Sequence, residues 1–256
     1  MSKTSSAVNA SPAGPTAPLR NVRLFMQLMD RLNHRPRHLP GLGVFYAFSG
    51  YGKTHAAVYA ANRSGAYYIE AGASWNSTEL VDAILHELMG ATIKGSVAKK
   101  VKEAISILAS DTRPLIIDEA DFLVKKSMID IVREIADRTW IPVILIGEEN
   151  LPHKLAAFER SHNRVLEFQA AEPCDMDDAR QLAKLYVPQL TIEDALLKHV
   201  VEDSDGIARR ICVNLERLNE FAKRQGVSQL TKELWGEQVL FRGRPEPRRK
   251  AIGRAA

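Results

Sequence analysis

The sequence predicts an α/β fold in which a parallel sheet is covered on both faces by helices. Two observations carry this. Five short apolar runs rich in branched and aromatic residues, GVFYAF, AYYIEA, PLIIDE, PVILIG and RVLEF, alternate with helix-periodic stretches. The first run leads straight into a glycine loop and then a helix. A chain of 256 residues that is 45% hydrophobic can bury a core of this size.

In chain order, residues 1–18 are Ser, Ala and Pro with few large apolar groups, which predicts a disordered lead. Leu24, Phe25, Leu28, Met29 and Leu32 then recur at helical spacing, and Pro36 and Pro40 close the helix. After GVFYAF, the segment THAAVYAANRS predicts a helix with alanines on its packing side. Beyond AYYIEA, Asn76 and Glu79 are spaced as a capping box for a helix that Gly90 stops. A helix through Val101, Ile105 and Leu108 precedes PLIIDE, and one over residues 129–138 precedes PVILIG. Another helix near Leu155 leads to RVLEF. From Asp175 onward only helical periodicity appears, so the sequence predicts a small helical domain without strands. The expected division is 1–18 lead, 19–171 α/β domain, 172–241 helical domain and 242–256 basic flexible tail.

The net charge of +4 is unevenly spread. Lys3, Arg20, Arg23, Arg31, Arg35 and Arg37 face Asp30 alone among residues 1–41, and Arg242, Arg244, Arg248, Arg249, Lys250 and Arg254 face Glu246 alone in the last fifteen. Each end therefore carries +5 and the middle −6. Basic arms on an acidic body point to an acidic partner such as nucleic acid. No apolar run approaches the roughly 18 residues of a membrane span, and the N-terminus lacks the apolar heart of a signal peptide, so a cytoplasmic protein is expected. Cys174 and Cys212 are neither a C-x-x-C pair nor a disulfide framework. His34 and His38 are four apart, but Pro36 breaks the helix that would align them, and no zinc site is expected.

The stretch AFSGYGKT, Ala47 to Thr54, ends as a phosphate-binding loop ends, with Ala47 where the G-x-x-x-x-G-K-[ST] template has glycine. Such a loop works because glycines let successive backbone N–H groups point inward at the start of a helix, whose dipole also favours anions. Gly50 and Gly52 supply the freedom, with Ser49, Tyr51 and His55 completing the cradle. Lys53 would neutralise the β- and γ-phosphates of ATP, and Thr54 would offer a hydroxyl to Mg²⁺. A hydrolase also needs one carboxylate for metal and another for water. LIIDEAD has both at the end of an apolar strand: Asp118 for Mg²⁺ and Glu119 to polarise the attacking water, while Asp121 suits the start of a following helix.

The order of these motifs, with an Arg-bearing segment before the last strand and GIARRICVNLERL in the helical region, resembles an AAA+ ATPase over roughly residues 20–240. The resemblance implies a P-loop NTPase with a five-stranded parallel sheet in the order 5-1-4-3-2 and a small C-terminal helical lid. It implies that Arg209, three after Gly206, is the lid arginine that touches the γ-phosphate. It also implies that Arg160 or Arg164 reaches a neighbouring subunit's nucleotide, and hence self-association into a ring or filament. The polar residue usual beyond the fourth strand is replaced by Gly147, Glu148, Glu149 and Asn150, leaving Glu148 or Asn150 for that role and predicting slow hydrolysis.

Within that family, YYIEAGASWNSTELVDAILHELMG, LIIDEADFL and RSHNRVLEF resemble the target-selection ATPases of transposable elements, the Mu-like phage B protein and its TniB and TnsC relatives. That likeness implies ATP-dependent polymerisation on double-stranded DNA and delivery of it to a transposase. The chain departs from Mu B in having no evident N-terminal helix-turn-helix, which leaves DNA contact to the core and tails. Lys94, Lys99, Lys100, Lys102, Lys125 and Lys126 are the candidates for sequence-independent phosphate contacts. Two other readings compete: an ExeA-like or other P-loop motor, and a nucleotide-switched module that docks a protein partner.

Overall fold

Alternation along the strands decides which side chains face which layer. In the computed structural model, which describes residues 18–243, the chain divides into two compact units, Met1–Pro173 and Cys174–Ala256. The lead, and the tail beyond Gly243, lie outside the described residues.

The first unit opens with α1 (Arg20–Asn33), whose buried stripe is Val22, Phe25, Leu28, Met29 and Leu32. It packs on β1 (Leu42–Tyr46) and on α2 (Lys53–Ser64), the helix that follows the glycine loop. The close approach depends on Gly43, where a Cβ would lie 2.6 Å from Leu32 Cδ1. Phe25 and Phe45 meet edge to face at 5.1 Å. β2 (Tyr67–Glu70) is followed by α3 (Ser77–Met89), with the expected capping box: Asn76 Oδ1 accepts from the Thr78 and Glu79 N–H groups, and Glu79 Oε2 accepts from Asn76 N–H. Gly90, at φ 72°, ends it. Next come α4 (Val97–Ala109), β3 (Leu115–Asp118), α5 (Asp121–Lys125), α6 (Ile129–Thr139) and β4 (Val143–Gly147). α7 (Leu151–Ala156), α8 (Glu159–His162) and β5 (Val165–Ala170) complete the unit. The five strands are all parallel, in the order β2-β3-β4-β1-β5. That is the expected 5-1-4-3-2 read from the other edge.

Leu42, Val44, Ile69, Leu115, Ile117, Val143 and Leu145 line one face of the sheet, against Leu80, Ile84, Val101, Leu108, Val132 and Ile135 from α3, α4 and α6. The intervening Phe45, Ile116, Ile144 and Ile146 are also fully buried, so the central strands read as continuous apolar runs.

The second unit contains α9 (Met176–Tyr186), α10 (Asp194–Asp203), α11 (Ala208–Gln225) and α12 (Lys232–Trp235). It departs from the strand-free expectation: β6 (Thr191–Ile192) pairs in parallel with β7 (Gln229–Leu230). Two-residue strands are too short to show a period, so the pairing has no sequence signature. Asn214, fully buried on α11, donates to Phe241 C=O and accepts from Phe241 N–H, tying the last described segment down. No helix among the described residues is long and apolar enough to cross a membrane.

Candidate nucleotide-binding site

The loop between β1 and α2 is built as a cradle. Gly50 and Gly52 take φ of 89° and 81°, a region closed to most side chains, although a Cβ at Gly52 would meet nothing within 4 Å. Conformation, not space, requires glycine there. Ala47 needs no such freedom: it has no positive φ, is 1% exposed, and its N–H donates to Gly147 C=O at 3.4 Å as a continuation of the sheet. The methyl in place of the template glycine is therefore accommodated.

Lys53 Nζ donates to Ala47 C=O at 2.8 Å and Phe48 C=O at 3.0 Å, folding the ammonium back over the loop. Burial lowers its pKa, and Asp118, Glu119, Asp121 and Glu148 act against that. Thr54 Oγ1 donates to Asp118 Oδ2 at 2.7 Å, so the two candidate Mg²⁺ ligands are already adjacent. Asp118 is 2% exposed and fully engaged: Oδ1 accepts from Glu119 N–H at 2.8 Å, and Oδ2 also accepts from Tyr68 O–H at 3.2 Å. Tyr68 enters from β2, where strand pairing sets Glu70 opposite Asp118, and burial first and then Asp118 push its phenol above the usual range.

Glu119 stands at φ 53°, left-handed for a residue with a Cβ, as the chain turns from β3 into α5. Its pKa is raised, by burial first and then by Asp118, Asp121 and Glu70. Asp121 does more than begin a helix. It is buried, its Oδ2 accepts from Glu148 N–H at 2.7 Å, and its Oδ1 accepts from Lys154 Nζ at 2.5 Å. Gly147 leaves the room: a Cβ there would run into Asp121 Oδ2 and Leu151.

The glycine cradle and the lysine folded over it supply N–H donors suited to phosphate, and the hydroxyl paired with a carboxylate supplies hard oxygens that fit Mg²⁺. Around this set, Tyr51 C=O is taken by Asn21 Nδ2 at 2.8 Å. His55 Nε2 is buried with no hydrogen-bond partner among the described residues, and burial lowers the pKa of its ring. Phe48, beside Ser49, is 58% exposed and meets Tyr51 edge to face at 6.2 Å.

Of the two residues offered for the strand-end polar role, Glu148 has its backbone held by Asp121 and its side chain 64% exposed, and Asn150 caps α7 without a side-chain bond. Arg160 is exposed on α8, whereas Arg164 pairs with Asp137 at 3.0 Å. In the second unit, Asp205 and Gly206 turn at φ 53° and 64° into α11, leaving Arg209 exposed while Arg210 pairs with Asp205.

The basic candidates separate. Lys94, Lys99, Lys102, Lys125 and Lys126 are exposed, with Lys126 Nζ resting on Trp75 C=O at 2.7 Å. Lys100 does not belong with them: it is 7% exposed and bonded to Asp82 at 2.6 Å, so its charge is spent inside the α3–α4 contact. That corrects its assignment to DNA.

Sequence reasoning missed Asn21, Tyr68 and Lys154. Asn21 had a signal: with Phe25, Leu28 and Leu32 it occupies one row of α1, a polar residue on an apolar stripe. Tyr68 and Lys154 had none, because their partners come from other strands and loops.

A family profile described as AAA domain matches residues 20–155. No curated protein matches the chain. Among solved structures, the Aeropyrum pernix ORC2 protein, determined in ADPNP and ADP complexes, superposes with a TM-score of 0.64 at 17% identity over 88% of this chain and 68% of that one. The Aeropyrum pernix ORC1 protein in complex with DNA gives 0.57 at 18% identity over 84% and 62%. Domain III of the Thermotoga maritima replication initiation protein DnaA gives 0.52 at 20% identity over 84% and 88%. At these identities the likeness is one of fold.

Proposed function

The chain belongs to the AAA domain family, and on that premise we propose that it is an ATP-dependent, sequence-nonspecific DNA-binding ATPase that self-associates on DNA and presents it as target to a transposase. The observation that carries the reading is the 2.7 Å bond between Thr54 Oγ1 and Asp118 Oδ2, with Lys53 and Glu119 on either side of it in sequence. A loop that had decayed into a turn would have no need of a buried carboxylate set against its threonine.

In this reading the N–H groups of the Gly50–Gly52 turn and the Lys53 ammonium bind the β- and γ-phosphates of ATP. Thr54 and Asp118 would hold Mg²⁺, which supplies charge neutralisation at the phosphate oxygens when bound. Glu119 orients the attacking water and receives its proton, and its raised pKa suits it to that step. Arg160, exposed and without an ion pair among the described residues, serves a neighbouring subunit's nucleotide better than Arg164, which Asp137 holds. Arg209, exposed on α11, keeps the γ-phosphate role that the family resemblance implies.

The exposed Lys94, Lys99, Lys102, Lys125 and Lys126 support contact with DNA phosphates, and the fold likeness to a protein solved on DNA is consistent with that. The transposition role rests on the sequence resemblance to target-selection ATPases.

The test is binding to a random-sequence duplex at two salt concentrations, with ATP, with ADP and with the Lys53→Ala variant, imaged for polymers by electron microscopy. ATP-dependent filaments that need Lys53 and weaken with salt support the reading; stimulation of strand transfer by a cognate transposase supports the finer role. Equal DNA binding in every condition, or none, overturns it in favour of a nucleotide-switched module that docks a protein.

A further inference from the structure

The acidity of the site raises a question that the phosphate loop does not answer. Asp118, Glu119, Asp121 and Glu148 all act electrostatically on the Lys53 ammonium, the group that would meet the terminal phosphate. A nucleoside triphosphate would add more negative charge to the same place. Lys53, with the Mg²⁺ that Thr54 and Asp118 would hold, faces four carboxylates and a γ-phosphate there.

The second cation of the cluster is Lys154, on α7. Its Nζ donates to Asp121 Oδ1 at 2.5 Å and lies 3.4 Å from Glu148 Oε2. Asp121 completes a chain of contacts with its other oxygen, which accepts the Glu148 N–H at 2.7 Å. A further bond, Ala120 N–H to Ile146 C=O at 2.8 Å, joins the same two segments. The turn that carries Glu119 is thus laced to the end of β4, and Lys154 is the side chain that closes the lacing. Gly147 shows how tight the join is, since no Cβ fits between Asp121 and Leu151. Glu119, Asp121, Phe122, Lys125, Glu148 and Lys154 border one cavity of roughly 400 Å³.

We propose that Lys154 is a positioning residue of the nucleotide site, which holds Asp121 against the Glu148 backbone and draws the Glu148 carboxylate to itself, so that a triphosphate is accepted beside an otherwise repulsive strand end. The inference rests on the nucleotide reading above and deepens it by assigning the selectivity for a third phosphate. Its hydrogen bond to Asp121 raises the Lys154 pKa, which keeps the ammonium charged.

The experiment compares equilibrium binding of a non-hydrolysable ATP analogue and of ADP to the full chain and to Lys154→Met, Lys154→Arg, Glu148→Gln and the Lys154→Met/Glu148→Gln double variant. Lys154→Met is expected to weaken the triphosphate about tenfold and ADP much less, one uncompensated charge at a partly solvated site being worth about that much. Lys154→Arg should keep the wild-type ratio, and adding Glu148→Gln to Lys154→Met should restore most of the loss. Glu148→Gln alone alters a mostly exposed side chain and folds regardless of what Lys154→Met does; it should raise the ratio of triphosphate to diphosphate affinity a few-fold. A chain that binds ADP and the analogue normally but whose ratio is unmoved by Lys154→Met or by Glu148→Gln overturns the inference and leaves the nucleotide reading standing. A wild-type chain that binds neither nucleotide overturns both.

Discussion

Asn21 and Glu172, 151 positions apart, are joined as two strands would be: Asn21 Oδ1 accepts the Glu172 N–H at 2.8 Å, and Asn21 Nδ2 donates to the Glu172 C=O at 2.8 Å. The second Nδ2 hydrogen goes to Tyr51 C=O inside the glycine loop. One amide, 4% exposed, therefore ties the first turn of α1, the phosphate loop and the segment after β5. Asn21→Ala leaves those three backbone groups without their partner, and a loss of about 2–4 kcal/mol is expected from chemical denaturation. Nucleotide affinity should fall with it, because the loop carbonyl that Asn21 holds is released. An unchanged denaturation midpoint would show that water replaces the amide without cost.

Glu119 combines a chemical role with a strained backbone. Glu119→Gln should keep nucleotide affinity and lower turnover by about 10²–10⁴, the range for losing a general base. Glu119→Gly is expected to be more stable than Glu119→Ala by about 1 kcal/mol, since only glycine relaxes a φ of 53°. Thermal melts of the two variants decide it, and equal midpoints would mean that the turn carries no strain.

The five exposed lysines should respond differently from the buried Lys100. Replacing Lys94, Lys99, Lys102, Lys125 or Lys126 by alanine is expected to leave stability within about 0.5 kcal/mol, and each that contacts a phosphate lowers the slope of log affinity against log salt by about 0.9. Lys100→Met should do the reverse. It leaves Asp82 without its cation, Asp82 Oδ1 being already buried without a partner, and costs about 3 kcal/mol with the salt slope unchanged. DNA-binding titrations at three salt concentrations, with urea denaturation alongside, separate the two groups.

Asp111 should set a limb of the acid stability curve. Arg113 hydrogen-bonds its carboxylate from two residues away, Tyr67 O–H donates to it at 2.8 Å, and its pKa is held well below the usual carboxylate range, chiefly by Arg113. A depressed folded pKa contributes stability that is present above the unfolded value of about 3.9 and is lost as pH falls through the folded one. Wild type and Asp111→Asn should therefore differ most above about pH 5 and converge in strong acid, read as unfolding free energy from pH 2 to 7. Tyr67 sets the opposite limb. Burial, then Asp111, pushes its phenol up to about 12, so its contribution is present below the unfolded value of about 10 and fades between there and 12.

Lys100 shows where the sequence was legible and where it was not. It falls in the row Lys100, Ala104, Leu108 on the buried side of α4, so helical spacing alone could have separated it from Lys99 and Lys102. Its partner Asp82 lies on another helix, and no spacing rule names that. Asp121 was legible as an acid at a helix start, but its bonds to Glu148 and Lys154 depend on where β4 ends. Asn214 in the second unit repeats what Asn21 does in the first, and neither backbone partner has any mark in its own residue type.

By itself the sequence determined the alternation of strands and helices, the glycine cradle with Lys53 and Thr54, and the acidic pair at the end of β3. These are local: they follow from periods of 2 and 3.6 residues, from backbone freedom at single glycines, and from groups that are neighbours in the chain. Only the tertiary structure decided that Thr54 and Asp118 touch, that Asn21 holds the loop to Glu172, that Lys100 meets Asp82 and that Lys154 faces Asp121. Those contacts join segments 18 to 151 residues apart, and their existence depends on which strand lies beside which and in what register. The residues concerned would satisfy the same local patterns if the strands were ordered differently, so no local pattern could have specified them.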